Sequence, residues 1–297
     1  MLGSGLRNWF SRGASHALAV ALPPGEARDA ILQGELLSPG VRADWPVERM
    51  CVNDALWGEG YIFPGGEIET LRMAKPLGLS AASSLLVLGI GGGGPACSLA
   101  VNFGAWITGY EADPDLAVVA TERALKANLG KRVKIETWDP SEPEFARNYY
   151  HHTMALEAMR GARPEPLLAA MASAMKPGGQ LVMLEIVADT PLDPADPIVA
   201  AWARLDHRPA DGMPNEVTVT RVLGRLGFDV RIVEDLSQRH LQQAMIGWRR
   251  TVRRLEATKP SPREAGQVVS EAELWLLRLR LFHDSKLRLI RWHAILR

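Results

Sequence analysis

The feature that most constrains this chain is the run Leu85-Leu-Val-Leu88, followed without a break by Gly89-Ile-Gly-Gly-Gly-Gly94 and a helical pattern at about 95–103. A short continuous apolar run is expected of a strand buried on both faces of a parallel sheet. Glycines directly after such a strand let the backbone turn tightly and approach a ligand closely. The N-terminus of the next helix adds unpaired N–H groups and the positive end of a dipole. Glu111 ends the following strand pattern, Trp106–Tyr110, twenty residues after Gly91. An acidic side chain there can accept both ribose hydroxyls of a nucleotide. Strand, glycines, helix, strand and acid together form a nucleotide-binding signature; a glycine motif alone carries little weight.

The alternation continues. A helix is expected over 115–129, a strand at Val133–Thr137, an apolar segment at 150–156 and a helix over 164–175. Lys176-Pro-Gly-Gly179 supplies turn chemistry, and Gln180–Val187 reads as a strand. This pattern predicts an α/β fold with a doubly wound, mostly parallel sheet. The tail breaks the rule: Phe228–Val233 and Lys286–Leu296 read as strands, separated by helical patterns near 238–256 and 264–282. An antiparallel edge pair carrying a helical insert is expected, giving seven strands. The division that follows is an N-terminal helical cap over 1–80, a cofactor-binding core over 81–236, a helical lid insert over 237–284 and a final core strand over 285–297.

Composition excludes several classes. The 34 Lys and Arg balance 34 Asp and Glu, so bulk charge points away from nucleic acid. Two cysteines, Cys51 and Cys97, lie far apart and outside any metal-ligand spacing, which fits a reducing cytoplasm and no metal site. No apolar run reaches the roughly 18 residues of a membrane span. Around Ala17–Leu22, with Trp9, Phe10 and Leu18, an amphipathic N-terminal helix is expected, packed on the domain or touching a membrane surface. A homodimer is compatible with the sequence.

The glycine turn also matches the G-x-G-x-x-G dinucleotide fingerprint through Gly89, Gly91 and Gly94, so an NAD(P)-dependent oxidoreductase is the rival reading. The turn Lys176-Pro-Gly-Gly179 before a strand, and the expected antiparallel pair at the end, favour another family. From about residue 55 to 297, and most closely over 84–188, the chain resembles the class I S-adenosylmethionine-dependent methyltransferases of the small-molecule type. The resemblance implies that Gly89, Gly91 and Gly93 lie under the methionine part of S-adenosylmethionine. It implies that Glu111 holds the ribose, with Ala112 and Asp113 beside the adenine and Trp138 and Asp139 near the adenine amino group. The loop from Trp57 to Tyr61 resembles one that covers the cofactor. There are departures. The family usually has an acid where Gly89 stands, and Glu59 is the candidate replacement; Pro95 aligns with the last glycine, and His151 stands near a position where Asp is frequent. A non-catalytic, partner-binding relative therefore stays open beside the enzyme.

The expected reaction is methyl transfer to a small organic or lipid-like acceptor. Such a displacement needs alignment and exclusion of water more than a catalytic acid or base, and His151 is the one candidate base. Residues 236–297 hold thirteen Lys and Arg against five Asp and Glu, with Arg249, Arg250, Arg253 and Arg254 beside Trp248. The insert is expected to lid the acceptor site, with Tyr61, His240, Trp248 and Arg249 toward the substrate.

Overall fold

The computed structural model describes residues 45–297; the expected amphipathic helix near the N-terminus lies outside the described residues. The chain opens with helices α1 (Val47–Trp57) and α2 (Gly66–Ala74) and a 3-10 turn at Lys75–Leu77. Then follow β1 (Ser84–Leu88), α3 (Gly94–Phe103), β2 (Trp106–Glu111), α4 (Pro114–Lys126), β3 (Val133–Thr137) and β4 (Tyr150–Leu156). Next come α5 (Pro164–Ala174), β5 (Met175–Val187), α6 (Pro197–Leu205), α7 (Glu216–Arg225) and β6 (Phe228–Asp235). Helices α8 (Ser237–Ala257) and α9 (Pro262–His283) precede β7 (Arg288–Leu296).

The seven strands form one sheet in the order β3-β2-β1-β4-β5-β7-β6. Strands β1 to β5 are parallel, and β7 runs antiparallel to both β5 and β6. The continuous apolar run of β1 is explained by its place: Leu85 and Val87 enter the core on one face, Leu86 and Leu88 on the other. Covering the first face are α1 to α4 and the α6, α8 and α9 side chains Val199, Trp248, Trp275 and Phe282. The second face is covered by α5 through Leu167, Leu168 and Met171, and by α7 through Val219, Val222 and Leu223.

Two details differ from the sequence expectation. Lys176–Gly179 lies inside β5 rather than in a separating turn. Gly178 takes φ +78°, and the β4–β5 pairing slips between Tyr150 and His152, so the turn chemistry makes a bulge in a longer strand. The segment between β5 and β6 also contains two helices that hydrophobic periodicity left unassigned. Each has a side-chain cap: Asp196 accepts from the N–H groups of Ile198 and Val199, and Asn215 from those of Val217 and Thr218.

The α8–α9 pair clamps onto the first helices. Trp57 and Trp275 meet at 4.8 Å between ring centroids, Arg49 pairs with Glu271 at 2.6 Å, and Arg239 pairs through Nε and Nη2 with Glu69. Arg250 donates to the carbonyls of Ala55 and Leu56 at the C-terminal end of α1, where a cation also suits the helix dipole. Full burial of an aromatic or Leu-sized side chain is worth about 1.5–3 kcal/mol, so Trp57, Trp248 and Trp275 anchor this packing more firmly than the surface charges.

Candidate functional site

The glycine turn joins β1 to α3 at the carboxyl end of the sheet, where ligands of open α/β sheets collect. Gly89 and Gly91 sit at φ +71° and +56°, a region that costs other residues about 1–2 kcal/mol. A Cβ at Gly89 would lie 2.1 Å from the carbonyl oxygen of Leu156, so this glycine lets β1 and β4 close on each other. A Cβ at Gly91 would instead meet the side chain of Ile62 at 3.0 Å. The two glycines thus do different work: one fits the sheet, the other keeps a surface clear beneath the 58–62 segment.

Glu111, at the tip of β2, is buried, and its carboxylate points back to the turn. Oε2 accepts from Gly91 N–H at 2.7 Å, and Oε1 from the N–H groups of Ala112 at 2.9 Å and Asp113 at 3.2 Å. Burial pushes its pKa up to about 7, although the three backbone donors favour the charged form. Asp113 caps α4 by accepting from Asp115 and Leu116 N–H. Trp138 packs on Phe145, and its indole Nε1 is buried without a partner among the described residues. Asp139 is exposed and holds its own turn by accepting from Ser141.

The 57–61 segment lies over the turn. Gly60 O accepts from Gly94 N–H at 3.1 Å. Arg123 on α4 ties the two layers together, donating to Gly92 O at 2.9 Å and pairing with Asp54 and Glu59. Glu59 is a rim residue with its side chain 86% exposed, so it does not stand in for the acid that Gly89 replaces. Tyr61 is buried and donates to Ser98 Oγ at 2.7 Å, which turns its hydroxyl into α3. Trp57 Nε1 donates to Asn53 within α1.

A narrow cleft lies beneath α8 at the end of β4, between Phe63, Met73, Glu157, Leu184 and Leu289. His240 lines it, as expected from the sequence. Trp248 and Arg249 do not: Trp248 is buried in the core and Arg249 is exposed. The arginine of the cleft is Arg239, ten residues before Arg249, where it pairs with Glu69. His151 requires a larger correction. It stands near the start of β4, with Nδ1 2.7 Å from Ser84 Oγ at the start of β1. At about 3.3 Å per residue this is roughly 15 Å from the glycine turn, at the opposite end of the sheet. The expected base was placed on the right strand but at the wrong end.

The residue at the right end is Glu157, directly after β4, which sequence reasoning missed. It belongs to a buried ionic cluster with Glu185, Asp206, Arg160, Arg208 and Arg278. Arg208 reaches Glu185 at 2.8 Å and Glu157 at 3.4 Å; Arg278 reaches Glu157 and Asp206 at 3.0 Å each. Burial alone would raise Asp206, but the guanidiniums of Arg160, Arg278 and Arg208 outweigh it and hold the carboxyl at about 2. The same balance, led by Arg278, keeps Glu157 below the usual range. Burial, reinforced by Arg278, pushes His240 down to about 3, so the imidazole is neutral. Among the described residues no group of His, Cys, Asp and Glu suits a metal ion, and no helix is long and apolar enough to cross a membrane.

No family model matches the sequence. Among curated relatives, it is 28% identical to phosphoethanolamine N-methyltransferase 2 of Caenorhabditis elegans over 43% of this chain and 30% of that protein. It is 26% identical to 27-O-demethylrifamycin SV methyltransferase of Amycolatopsis mediterranei over 78% of this chain and 88% of that protein. Among solved structures, it is similar to phosphoethanolamine N-methyltransferase 2 of Haemonchus contortus, with a TM-score of 0.71 at 21% identity, covering 83% of this chain and 56% of that one. The chain therefore spans less than two thirds of the two phosphoethanolamine methyltransferases. The strand order and the antiparallel β7 give the chain the class I S-adenosylmethionine-dependent methyltransferase fold, and its sequence is similar to methyltransferases of small molecules.

Proposed function

We propose that this chain is an S-adenosylmethionine-dependent methyltransferase acting on a small organic or lipid-like acceptor. The observation that carries the reading is the buried Glu111 carboxylate, aimed at a glycine turn on the carboxyl edge of a 3-2-1-4-5-7-6 sheet. A dinucleotide oxidoreductase is disfavoured because dinucleotide-binding sheets end in the order 4-5-6 without an antiparallel strand between the last two. The residues fit the cofactor on three counts. Gly91 holds the positive φ that the turn needs and carries no side chain beneath Ile62, Glu111 offers a carboxylate for ribose hydroxyls, and Trp138 Nε1 is a buried donor without a partner among the described residues.

When bound, the cofactor supplies an electrophilic methyl group on a sulfonium. Gly89, Gly91 and Gly93 would shape the backbone beneath its methionine part, and Glu111 would accept from its ribose. Ala112 and Asp113 would border the adenine, with Trp138 at its edge. The 57–62 segment, latched by Arg123, would exclude water over the site, which favours displacement at a cationic centre. The acceptor would enter from the α8 side, where the cleft shares the Glu157 corner with the glycine turn.

Calorimetric titration tests the reading: S-adenosylmethionine and S-adenosylhomocysteine should bind saturably and NAD⁺ should not. Binding of NAD⁺ alone would refute it. The raised pKa of Glu111 adds a pH dependence whose sign is fixed. An acid raised from 4.5 to about 7 favours the unliganded fold at low pH, and that contribution fades as the pH rises through about 7. Ribose recognition needs the carboxylate, so cofactor affinity should rise about tenfold between pH 6 and 8. Glu111→Gln should weaken binding by about 1–3 kcal/mol and flatten the profile. A wild-type affinity independent of pH would remove Glu111 from the ribose.

A further inference from the structure

The glycine turn is held from two sides. Glu111 accepts from the Gly91 N–H at 2.7 Å, and Arg123 on α4 donates through Nε to Gly92 O at 2.9 Å. The guanidinium is itself anchored. One terminal nitrogen lies 3.3 Å from Asp54 Oδ2 in the last turn of α1, and the other lies 3.2 Å from Glu59 Oε2. The Glu59 side chain is exposed, so solvent screens that contact and it contributes little. The half-buried Asp54 and the Gly92 carbonyl are the firm anchors.

Asp54 also holds the strap at 58–62. Gly60 N–H donates to Asp54 Oδ1 at 2.7 Å, and Gly60 O accepts from Gly94 N–H at 3.1 Å. Strap and turn therefore meet backbone to backbone. A Cβ at Gly60, where φ is +76°, would lie 2.5 Å from Gly94 N and 2.8 Å from both Gly92 O and Arg123 Nε. A Cβ at Gly94 would lie 2.7 Å from the Tyr61 ring and 2.8 Å from Glu59 O. Docking of the strap thus accounts for glycine at 60 and 94, two positions that contact with a cofactor leaves unexplained.

A run of glycines from 91 to 94 has the largest backbone entropy to lose on ordering. A ligand that had to order the run itself would bind more weakly by that cost, and a turn ordered beforehand spares it. Arg123 reaches the turn, the strap and α1 at once, which its planar fork of donors allows and a single ammonium does not. We infer that Arg123 is a positioning residue for the cofactor: it clamps the 58–62 strap onto the glycine turn and fixes the backbone from Gly91 to Gly93 in its binding shape before the cofactor arrives. The clamp rests on the contacts themselves; its effect on the cofactor rests on the methyltransferase reading.

Two measurements on the full chain test this. The first is backbone hydrogen exchange without cofactor. In Arg123→Met, peptides covering 58–66 and 89–95 should exchange about tenfold faster than in the wild type, while peptides covering β5 and β7 keep their rates. The second is stopped-flow binding of S-adenosylmethionine. Arg123→Met should release it about tenfold faster, with the association rate changed by no more than about threefold. Asp54→Ala removes another anchor of the same clamp, so the double variant should gain much less than the product of the two single effects. Unchanged exchange in the two peptides, equal acceleration in β5 and β7, an unchanged release rate, or independent effects in the double variant each overturns the inference. Failure of the wild type to bind S-adenosylmethionine overturns the methyltransferase reading and the cofactor role with it, and the exchange rates then judge the clamp alone. Normal wild-type binding with unchanged release from Arg123→Met refutes only the positioning role.

Discussion

Arg208→Ala is expected to destabilise the fold by about 3–5 kcal/mol, the usual cost of removing one partner from a buried ion pair. Arg208 is almost fully buried and touches all three anions of its cluster: Glu185 at 2.8 Å and Glu157 and Asp206 at 3.4 Å each. Glu185 is its most dependent partner. That carboxylate also accepts from Met159 N–H at 2.7 Å and Ile186 N–H at 3.0 Å, but these dipoles do not neutralise a charge in a dry interior. Urea unfolding at pH 7 reads the loss. The double variant Arg208→Met with Glu185→Leu should recover most of it, because apolar replacements of a buried pair are often neutral or stabilising. If the single and double variants are equally unstable, the arginine acts through packing and not through charge. The acid limb gives a second check. Asp206 is held at about 2 against an ordinary 3.8, so its contribution is present above the ordinary value and disappears as the pH falls through about 2. Without Arg208 that depression shrinks, and acid unfolding should begin at a higher pH.

Gly89→Ala should have the next largest effect, a loss of about 2–5 kcal/mol, combining the left-handed backbone cost with the strain of an over-packed contact. The new methyl group would lie 2.1 Å from Leu156 O, and that carbonyl belongs to the strand leading into Glu157. Stability and cofactor affinity should therefore fall together. Gly91→Ala is the informative contrast. Its methyl would meet Ile62 Cγ1 and Cγ2 at 3.0 and 3.1 Å and Gly60 O at 3.3 Å, contacts only a few tenths of an ångström too close, so the stability loss should be about 1–3 kcal/mol, below that at Gly89, while cofactor affinity falls. Thermal unfolding alongside calorimetry separates the two. A Gly89→Ala variant as stable as the wild type would mean that β1 and β4 do not approach as described.

The core of the sheet was legible because Leu85–Leu88 and the strands around it bury both faces, which leaves an unmistakable apolar run. Helices α6 and α7 were not, since each spans only nine or ten residues in a stretch broken by prolines. The glycine turn and Glu111 were legible because their relation is local, strand to loop to strand. The acceptor side was not. Arg249, Arg250, Arg253 and Arg254 stood out by clustering, yet a helical wheel does not tell which face meets the cleft; Arg239 is selected by Glu69, 170 residues earlier in the chain. Glu157 could have been found from the pattern that suggested His151. A segment read as a strand over 150–156 should have its ligand-facing residue after its last apolar position, not near its first.

Among the described residues strand β6 has one neighbour in the sheet, β7, and β7 lies more than fifty residues further along the chain. Until β7 docks antiparallel on β5, β6 has no edge to join, and the α8–α9 hairpin between them lacks its second anchor. The last strand in sequence thus completes three pieces at once: the sheet edge, the insert, and the wall of the cleft formed by Leu289. Non-local pairing of this kind is slow to form, so during synthesis β6 is an exposed, unpaired edge while about fifty more residues emerge. Its charged residues Asp229, Arg231 and Glu234 are the kind that keep such an edge from recruiting a strand of another molecule. Assembly order, as much as recognition, then shapes what this strand can contain.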